Sequence, residues 1–150
     1  MMDIATALNG VSRLLLDTAP IIYLLEGNAE FGGHVYRLFR QCKERGIVFV
    51  TTPVTLAECL VHPLARGDHE LVKRYENAVL REQHTEFWPI DAESGREAAR
   101  LRAQLGLQLA DALQVAVALR TGCDALLTND SALSRVTGVR ILQISEIDEV

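Results

Sequence analysis

Five short apolar or β-branched runs alternate with segments of helical spacing along this chain. The runs lie at 13–17, 47–51, 85–90, 125–128 and 139–144. Several of them are apolar at successive positions, which is typical of strands in a parallel sheet that is covered on both faces. The alternation therefore predicts an α/β fold, a three-layer α/β/α sandwich around a five-stranded, mainly parallel sheet.

Capping and stop signals predict the helices between these strands. They are expected at 18–26, 32–45, 53–62, 68–83, 92–105, 110–120 and 131–136. Pro63 is expected to end the third helix, because proline disfavours helical backbone at the preceding residue. On this interpretation His62 marks a helix end, although it lies four residues after Glu58 and an alternative interpretation is a metal ligand.

The length of 150 residues predicts one domain, which we place at 12–150 after an N-terminal extension, 1–11. The first ten residues are expected to be either a loosely held extension or a misassigned start. No apolar stretch reaches the roughly 18 to 20 residues of a membrane helix, and no signal peptide is evident at the start. A cytoplasmic protein is therefore expected. Three widely spaced cysteines form no CxxC pair, which favours reduced core residues over a disulfide framework.

Two of the apolar runs lead into an aspartate. Asp17 ends LLLD, and Asp130 follows LLT by two residues. In an open parallel sheet, ligands bind beyond the carboxyl ends of the strands, so both aspartates are candidates for a binding site. The alternative is that each aspartate caps the helix that follows it.

Two further acids lie in largely apolar segments. Asp111 falls within LQLADALQVAVAL, and no Lys or Arg stands three or four residues away to neutralise it. Its alternative role is the N-cap of a helix that starts near residue 112. Glu58 lies within TLAECLV and has the alternative of an ordinary glutamate that faces solvent.

Carboxylates that converge on one pocket require compensation. At about 4 Å, each pair repels by about 4 kcal/mol at an effective dielectric constant near 20. A divalent cation supplies that compensation, and oxygen-only ligands select magnesium or manganese. Such a site suits the hydrolysis of phosphodiester bonds.

Taken in order, three segments resemble a known family. They are LLLDTAPIIYLLEG, TTPVTLAECL and LQLADALQVAVALRTGCDALLTND. Together they resemble the PIN domain of VapC-type toxins, a family of small α/β ribonucleases, over residues 12–144. The resemblance implies the strand order 3-2-1-4-5 and a catalytic, magnesium- or manganese-binding cluster made of Asp17, Glu58, Asp111 and Asp130.

The resemblance also implies supporting roles, products and partners. Thr128 and Thr18 are expected to form hydrogen bonds within the acidic cluster. RNA is the expected substrate, with 3′-hydroxyl and 5′-phosphate ends as products. A homodimer and a cognate antitoxin that blocks the site are the expected protein partners.

Arginines are the candidates for RNA binding. The net charge is −5, and without the four clustered acids it is −5 + 4 = −1. Arg37 and Arg40 lie along one predicted helix, and Arg96 and Arg100 are four residues apart on another. Guanidinium groups match phosphate geometry well, and the alternative for each pair is a solvated helix face.

Other functional classes fit the sequence less well. A phosphoacceptor receiver domain needs a lysine near its last strand, and no lysine follows Lys73. Gly32 and Gly33 belong to neither a dinucleotide-binding nor a P-loop pattern. The remaining alternative is a catalytically silent PIN-like module that binds RNA or a protein partner.

Overall fold

The chain forms a five-stranded sheet with its first strand at the centre. The computed structural model describes residues 1–148. The strands are β1 (Arg13–Leu16), β2 (Val48–Thr51), β3 (Thr85–Phe87), β4 (Ala125–Thr128) and β5 (Arg140–Gln143). Their order is β3-β2-β1-β4-β5, and every neighbouring pair is parallel. This confirms the predicted fold class and strand order.

Helices cover both faces of the sheet. They are α1 (Ile4–Ala7), α2 (Thr18–Glu26), α3 (Gly32–Glu44), α4 (Pro53–Arg66), α5 (His69–Glu76), α6 (Ala92–Leu105) and α7 (Leu109–Arg120). Residues of α1 to α5 pack on one face, against Leu14, Leu16 and Phe49 among others. Residues of α6 and α7 pack on the other face, against Leu15, Val50 and Leu126. Alternate residues of β1, β2, β4 and β5 therefore pack into two separate cores.

The connections create a crevice between β1 and β4. The chain leaves β1 towards β2 and β3 on one side, and later returns to β4 on the other side of β1. Leu16 of β1 is level with Leu127 of β4, so these two strands end side by side. In open α/β sheets, ligands bind at this kind of topological switch point, outside the carboxyl ends of the strands.

The prediction that Pro63 ends its helix was wrong. α4 continues through Pro63 to Arg66 and ends at Gly67, which adopts the left-handed conformation with φ of 69°. Proline removes one backbone hydrogen bond. Here the last turn is closed instead by the N–H groups of Gly67 and Asp68, both of which reach the Pro63 carbonyl. His62 therefore lies inside the helix and is exposed.

The expectation that the first ten residues are loosely held was also wrong. Ile4 and Leu8 are each only 2% exposed and belong to the core beside α3 and β5. Met2 pairs with Ile147 in a parallel bridge, and the Arg140 guanidinium donates to the Ala7 and Asn9 carbonyls. The apolar residues of this segment lie on one side of a single helical turn, which is too short for a clear periodic signal. The domain boundaries remain a prediction, and residues 149–150 of the predicted domain lie outside the described residues.

Other predicted elements differ mainly in length. The third strand is 85–87 rather than 85–90. The Trp88 N–H still donates to the Thr51 carbonyl of β2 at 2.9 Å, and Pro89 has no N–H to continue the ladder. The helix predicted at 68–83 is α5 followed by a π-helical turn, Asn77–Arg81. The predicted segment 131–136 is a 3₁₀ helix, Ser131–Arg135. The three cysteines are free and buried, as predicted. No helix among residues 1–148 is both long enough and apolar enough to cross a membrane.

Candidate metal centre

Asp17 lies directly beyond the end of β1, at the switch point. Its backbone N–H donates to the Leu127 carbonyl at 3.0 Å, which extends the ladder between β1 and β4 by one residue. Its Oδ1 accepts from the Thr18 N–H at 2.9 Å at the start of α2. Asp17 is only 8% exposed. It is therefore both a helix cap and a buried carboxylate at the predicted site, and the two interpretations are compatible.

The end of β4 adds Thr128 and Asp130. The Thr128 hydroxyl donates to Oδ2 of Asp17 at 2.7 Å and accepts from the Asp130 N–H at 3.0 Å. The hydrogen bond expected from Thr128 within the cluster is therefore present. Asp130 also caps the 3₁₀ helix, because its Oδ1 accepts from the Ala132 N–H. One hydroxyl thus joins the two strand ends that carry the aspartates.

Asp111 is not an N-cap. It is the third residue of α7, whose N-cap is Gln108. Burial is the largest cause that raises the pKa of the Asp111 carboxyl from 3.8 to about 7, and a hydrogen bond with the Asp130 carboxyl is the next. The negative charges of Asp17 and Glu58 raise this pKa as well. Asp111 therefore lies within electrostatic reach of the other three acids.

Glu58 completes the cluster from α4. The Thr18 hydroxyl donates to its Oε1 at 2.6 Å, which ties the first turn of α2 to α4. Glu58 is exposed, as the alternative interpretation expected, and its negative charge is still close enough to raise the pKa of Asp111. The expected hydrogen bond from Thr18 is therefore also present.

The chemistry of the cluster fits a hard cation, because all four acids offer carboxylate oxygens. Among residues 1–148, no three His, Cys, Asp or Glu side chains are close enough to hold a metal ion. None of the ion pairs within that part of the chain involves the four acids. Repulsion keeps such carboxylates apart, and a divalent cation would offset it. Carboxylate oxygens without nitrogen or sulfur ligands favour magnesium or manganese over zinc.

Sequence reasoning missed Gln114. This residue is 1% exposed, and its Nε2 donates to Oδ1 of Asp17 at 3.3 Å. A signal was present, since Gln114 is a polar residue in an apolar helix and lies one turn after Asp111. A glutamine in such a segment needs buried partners, as Asp111 does.

The two arginine pairs do not come together. Arg37 and Arg40 are on α3 and Arg96 and Arg100 on α6, and these helices cover opposite faces of the sheet. Three of these arginines pair with an acid on their own helix: Arg40 with Glu44, Arg96 with Glu93, and Arg100 with Glu97. That pairing is what a solvated helix face provides.

Residues 14–139 match the PIN domain family. The chain belongs to the PIN domain family. No curated protein matches this PIN domain in sequence.

Solved structures of toxin–antitoxin proteins share its fold. VapBC2 from Rickettsia felis, bound to a DNA fragment from its promoter, aligns with a TM-score of 0.69 at 15% identity, covering 87% of this chain and 98% of that chain. VapC20 from Mycobacterium tuberculosis, described as a sarcin-ricin loop cleaving toxin, has a TM-score of 0.67 at 17% identity, with 85% and 98% covered. VapBC-5 from the same organism reaches 25% identity with a TM-score of 0.57, with 88% and 98% covered.

Proposed function

We propose that this PIN domain is a divalent-metal-dependent endoribonuclease, the toxin component of a VapBC-type pair that acts in the cytoplasm. The observation that carries the proposal is the convergence of Asp17, Glu58, Asp111 and Asp130 at the switch point of the sheet. Membership of the PIN family and the likeness to toxin–antitoxin structures support it. A carboxyl in a crevice whose pKa is raised by burial and by neighbouring acids, as that of Asp111 is, is typical of functional sites.

The four acids would hold magnesium or manganese. When bound, the ion supplies positive charge that activates water and phosphate for in-line displacement at a phosphodiester. Asp17 and Asp111 are the principal ligands in this proposal; Asp17 is buried, Asp111 and Asp130 are half-buried, and Glu58 is exposed. Asp130 and Glu58 complete the negative pocket.

The neighbouring hydroxyls orient the carboxylates. Thr128 holds Oδ2 of Asp17, and Thr18 holds Oε1 of Glu58. A carboxylate oxygen has two lone pairs, so each oxygen that accepts one hydroxyl proton retains a lone pair for a cation. The hydroxyls thus restrict rotation of the carboxylates without removing them from the site.

The alternative function is a catalytically silent PIN-like module that binds RNA or a protein partner. One observation favours it: no three acids of the described chain are close enough to hold a metal ion. The two functions differ in what they require of the carboxylates. A nuclease needs their charge, whereas a binding module tolerates its loss.

The test is cleavage of labelled RNA by the purified protein, with magnesium or manganese and with EDTA. We expect cleavage that EDTA abolishes, and a loss of roughly 10²- to 10⁴-fold in Asp17→Asn and in Asp111→Asn. Asp124→Asn is the matched control, because Asp124 lies at the opposite end of β4 and bonds to the backbone of Ser12 and Arg13. Undiminished cleavage by both site variants, or cleavage that EDTA leaves unchanged, would refute the nuclease.

Protein partners form part of the proposal. One similar structure is a toxin–antitoxin complex from Klebsiella pneumoniae, at 19% identity and a TM-score of 0.66. We propose a cognate antitoxin for this chain too, and a homodimer. The homodimer is supported by exposed apolar side chains on the helices that carry Glu58 and Asp111, namely Val61, Leu64 and Leu109.

RNA binding by arginines also remains a proposal. Arg37, Arg40, Arg96 and Arg100 are exposed, which a phosphate contact requires. Because three of them share their charge with a neighbouring glutamate, we assign them a weaker role than the acidic cluster.

A further inference from the structure

Gln114 lies at the junction of three elements that carry the acidic cluster. It is on α7, one turn after Asp111, among residues that are almost completely buried. Its side chain reaches the end of β1, at Asp17, and the first turn of α4, at Thr52 and Thr55. Glu58 follows Thr55 by one turn on α4.

Every proton of this buried network has an assigned acceptor. The Thr52 hydroxyl accepts from the Val54 N–H at 3.2 Å, so its own proton goes to Oε1 of Gln114 at 2.6 Å. The Thr55 hydroxyl donates to the Leu16 carbonyl at 3.2 Å and accepts from Nε2 of Gln114 at 2.7 Å. The second Nε2 proton is left for Asp17.

This arrangement requires an amide. The side chain must accept one hydrogen bond and donate two, which is what glutamine supplies and what a carboxylate or an apolar side chain cannot. Fully satisfied buried polar networks give one arrangement of the elements they join, because any other arrangement leaves a buried polar group without a partner.

We propose that Gln114 is a positioning residue that sets the distance of Asp17 from the elements carrying Asp111 and Glu58. In this way it raises the affinity of the site for a divalent cation. This inference rests on the proposed function. Gln114 acts through Asp17 and need not touch the cation or RNA. Partners that orient metal ligands in this way typically affect metal affinity or activity by about 10- to 100-fold.

Two substitutions test it. Gln114→Met keeps a similar volume and removes all three hydrogen bonds. Gln114→Glu keeps the acceptor for Thr52 and replaces both donated protons with a negative oxygen facing Asp17. Thr51→Val is the control, since it also removes a buried hydrogen bond, from the Thr51 hydroxyl to the Val79 carbonyl, without touching a carboxylate.

Two quantities are measured for each protein. The first is manganese binding, from the free Mn²⁺ signal in electron paramagnetic resonance. The second is the separate kcat and KM for cleavage of labelled RNA. We expect both Gln114 variants to bind Mn²⁺ about 10- to 100-fold more weakly and to lose kcat with KM nearly unchanged. Thr51→Val should lose thermal stability and retain both properties per folded molecule.

The outcomes separate this inference from the nuclease proposal. Wild-type Mn²⁺ binding and kcat in Gln114→Met would overturn the inference, as would an equal loss in Thr51→Val. If Gln114→Glu fails to fold, Gln114→Met alone decides. If the wild-type protein binds Mn²⁺ but does not cleave RNA, the nuclease proposal fails, and weaker Mn²⁺ binding by the variants still supports the inference. If the wild-type protein binds no Mn²⁺, both fail.

Discussion

At the amino end of the sheet, Asp124 accepts hydrogen bonds from the N–H groups of Ser12 and Arg13 at 2.7 and 3.0 Å, and the pKa of its carboxyl is lowered mainly by these bonds. At the carboxyl end, burial and neighbouring acids raise the pKa of Asp111 to about 7. One sheet therefore holds carboxylates in two opposite electrostatic situations. In the first the negative charge stabilises the fold, and in the second it opposes the fold.

A second acid, in the middle of β3, follows the same pattern as Asp124. Glu86 on β3 forms a bidentate pair with the Arg13 guanidinium, with N–O distances of 3.2 and 3.1 Å, and this pairing is the main cause that lowers the Glu86 pKa. Arg13 also donates from Nε to the Thr121 carbonyl at the end of α7. Paired acids of this kind stabilise the fold, and that role is enough to account for them. Unpaired acids that cluster against their own repulsion call for a functional explanation.

The largest effect on stability is expected from Arg13→Met. The variant loses the paired hydrogen bonds to Glu86 and the bond to Thr121, which should lower the free energy of unfolding by about 2 kcal/mol. RNA cleavage per folded molecule should not change, because Arg13 lies at the amino end of β1. Urea denaturation with a parallel cleavage assay measures both.

Arg40→Met is the control for this prediction. Arg40 also pairs with a glutamate, but its side chain is 68% exposed and the change should stay within about 0.5 kcal/mol. Equal losses of unfolding free energy in Arg13→Met and Arg40→Met would contradict the claim that the contacts of Arg13 stabilise the fold more than an exposed ion pair does.

A smaller effect, of opposite sign, is expected from Asp111→Asn in EDTA at pH 8. Removing one of four clustered negative charges relieves repulsion, so the free energy of unfolding should rise by about 1 kcal/mol after allowance for solvent screening. Added Mn²⁺ should raise the melting temperature of the wild-type protein and have little effect on the variant. Differential scanning fluorimetry measures the stability and the effect of Mn²⁺. A clear destabilisation of the metal-free variant would contradict the claim that the charge of Asp111 destabilises the fold.

The smallest effect is expected from Asp124→Asn. Because the folded state lowers the pKa of Asp124, its charge adds stability above the unfolded value near 3.8, and this stability is lost as the pH falls through the folded pKa. The variant should be less stable than the wild type by about 0.5 kcal/mol at pH 7, since the carboxylate is exposed. The difference should shrink below pH 3.8. Urea denaturation across this range tests the sign, and a difference that grows in acid would contradict it.

The sequence predicted most of the elements because their signals are local. The β-branched and apolar runs marked the strands, and Asp91, which accepts from the Ser94 N–H, began α6 at the predicted residue. Pro63 misled the prediction because proline by itself signals a helix end. The end of α4 is set instead by the cap at Gly67. The packing of the segment 1–11 was missed because its contacts are with β5 and with Ile147, which are distant in sequence.

Local patterns also located the acids, but they did not decide whether each acid is a helix cap or a ligand. The residues around Asp17 and Asp130 were consistent with a cap and with a ligand, and in the structure each caps the following helix through Oδ1. Oδ2 of Asp17 accepts instead from the Thr128 hydroxyl. The partners of Gln114 are distant in sequence, with Asp17 separated from it by 97 residues. No window of sequence contains such a contact.

The sequence alone determined an α/β fold, because hydrophobic periodicity and turn residues act over a few neighbouring positions and do not depend on how distant segments pack. It also determined which acids stand at strand ends. Only the tertiary structure decided which acids are neutralised and which repel one another, because electrostatic energy depends on distances and burial that arise when remote segments pack together.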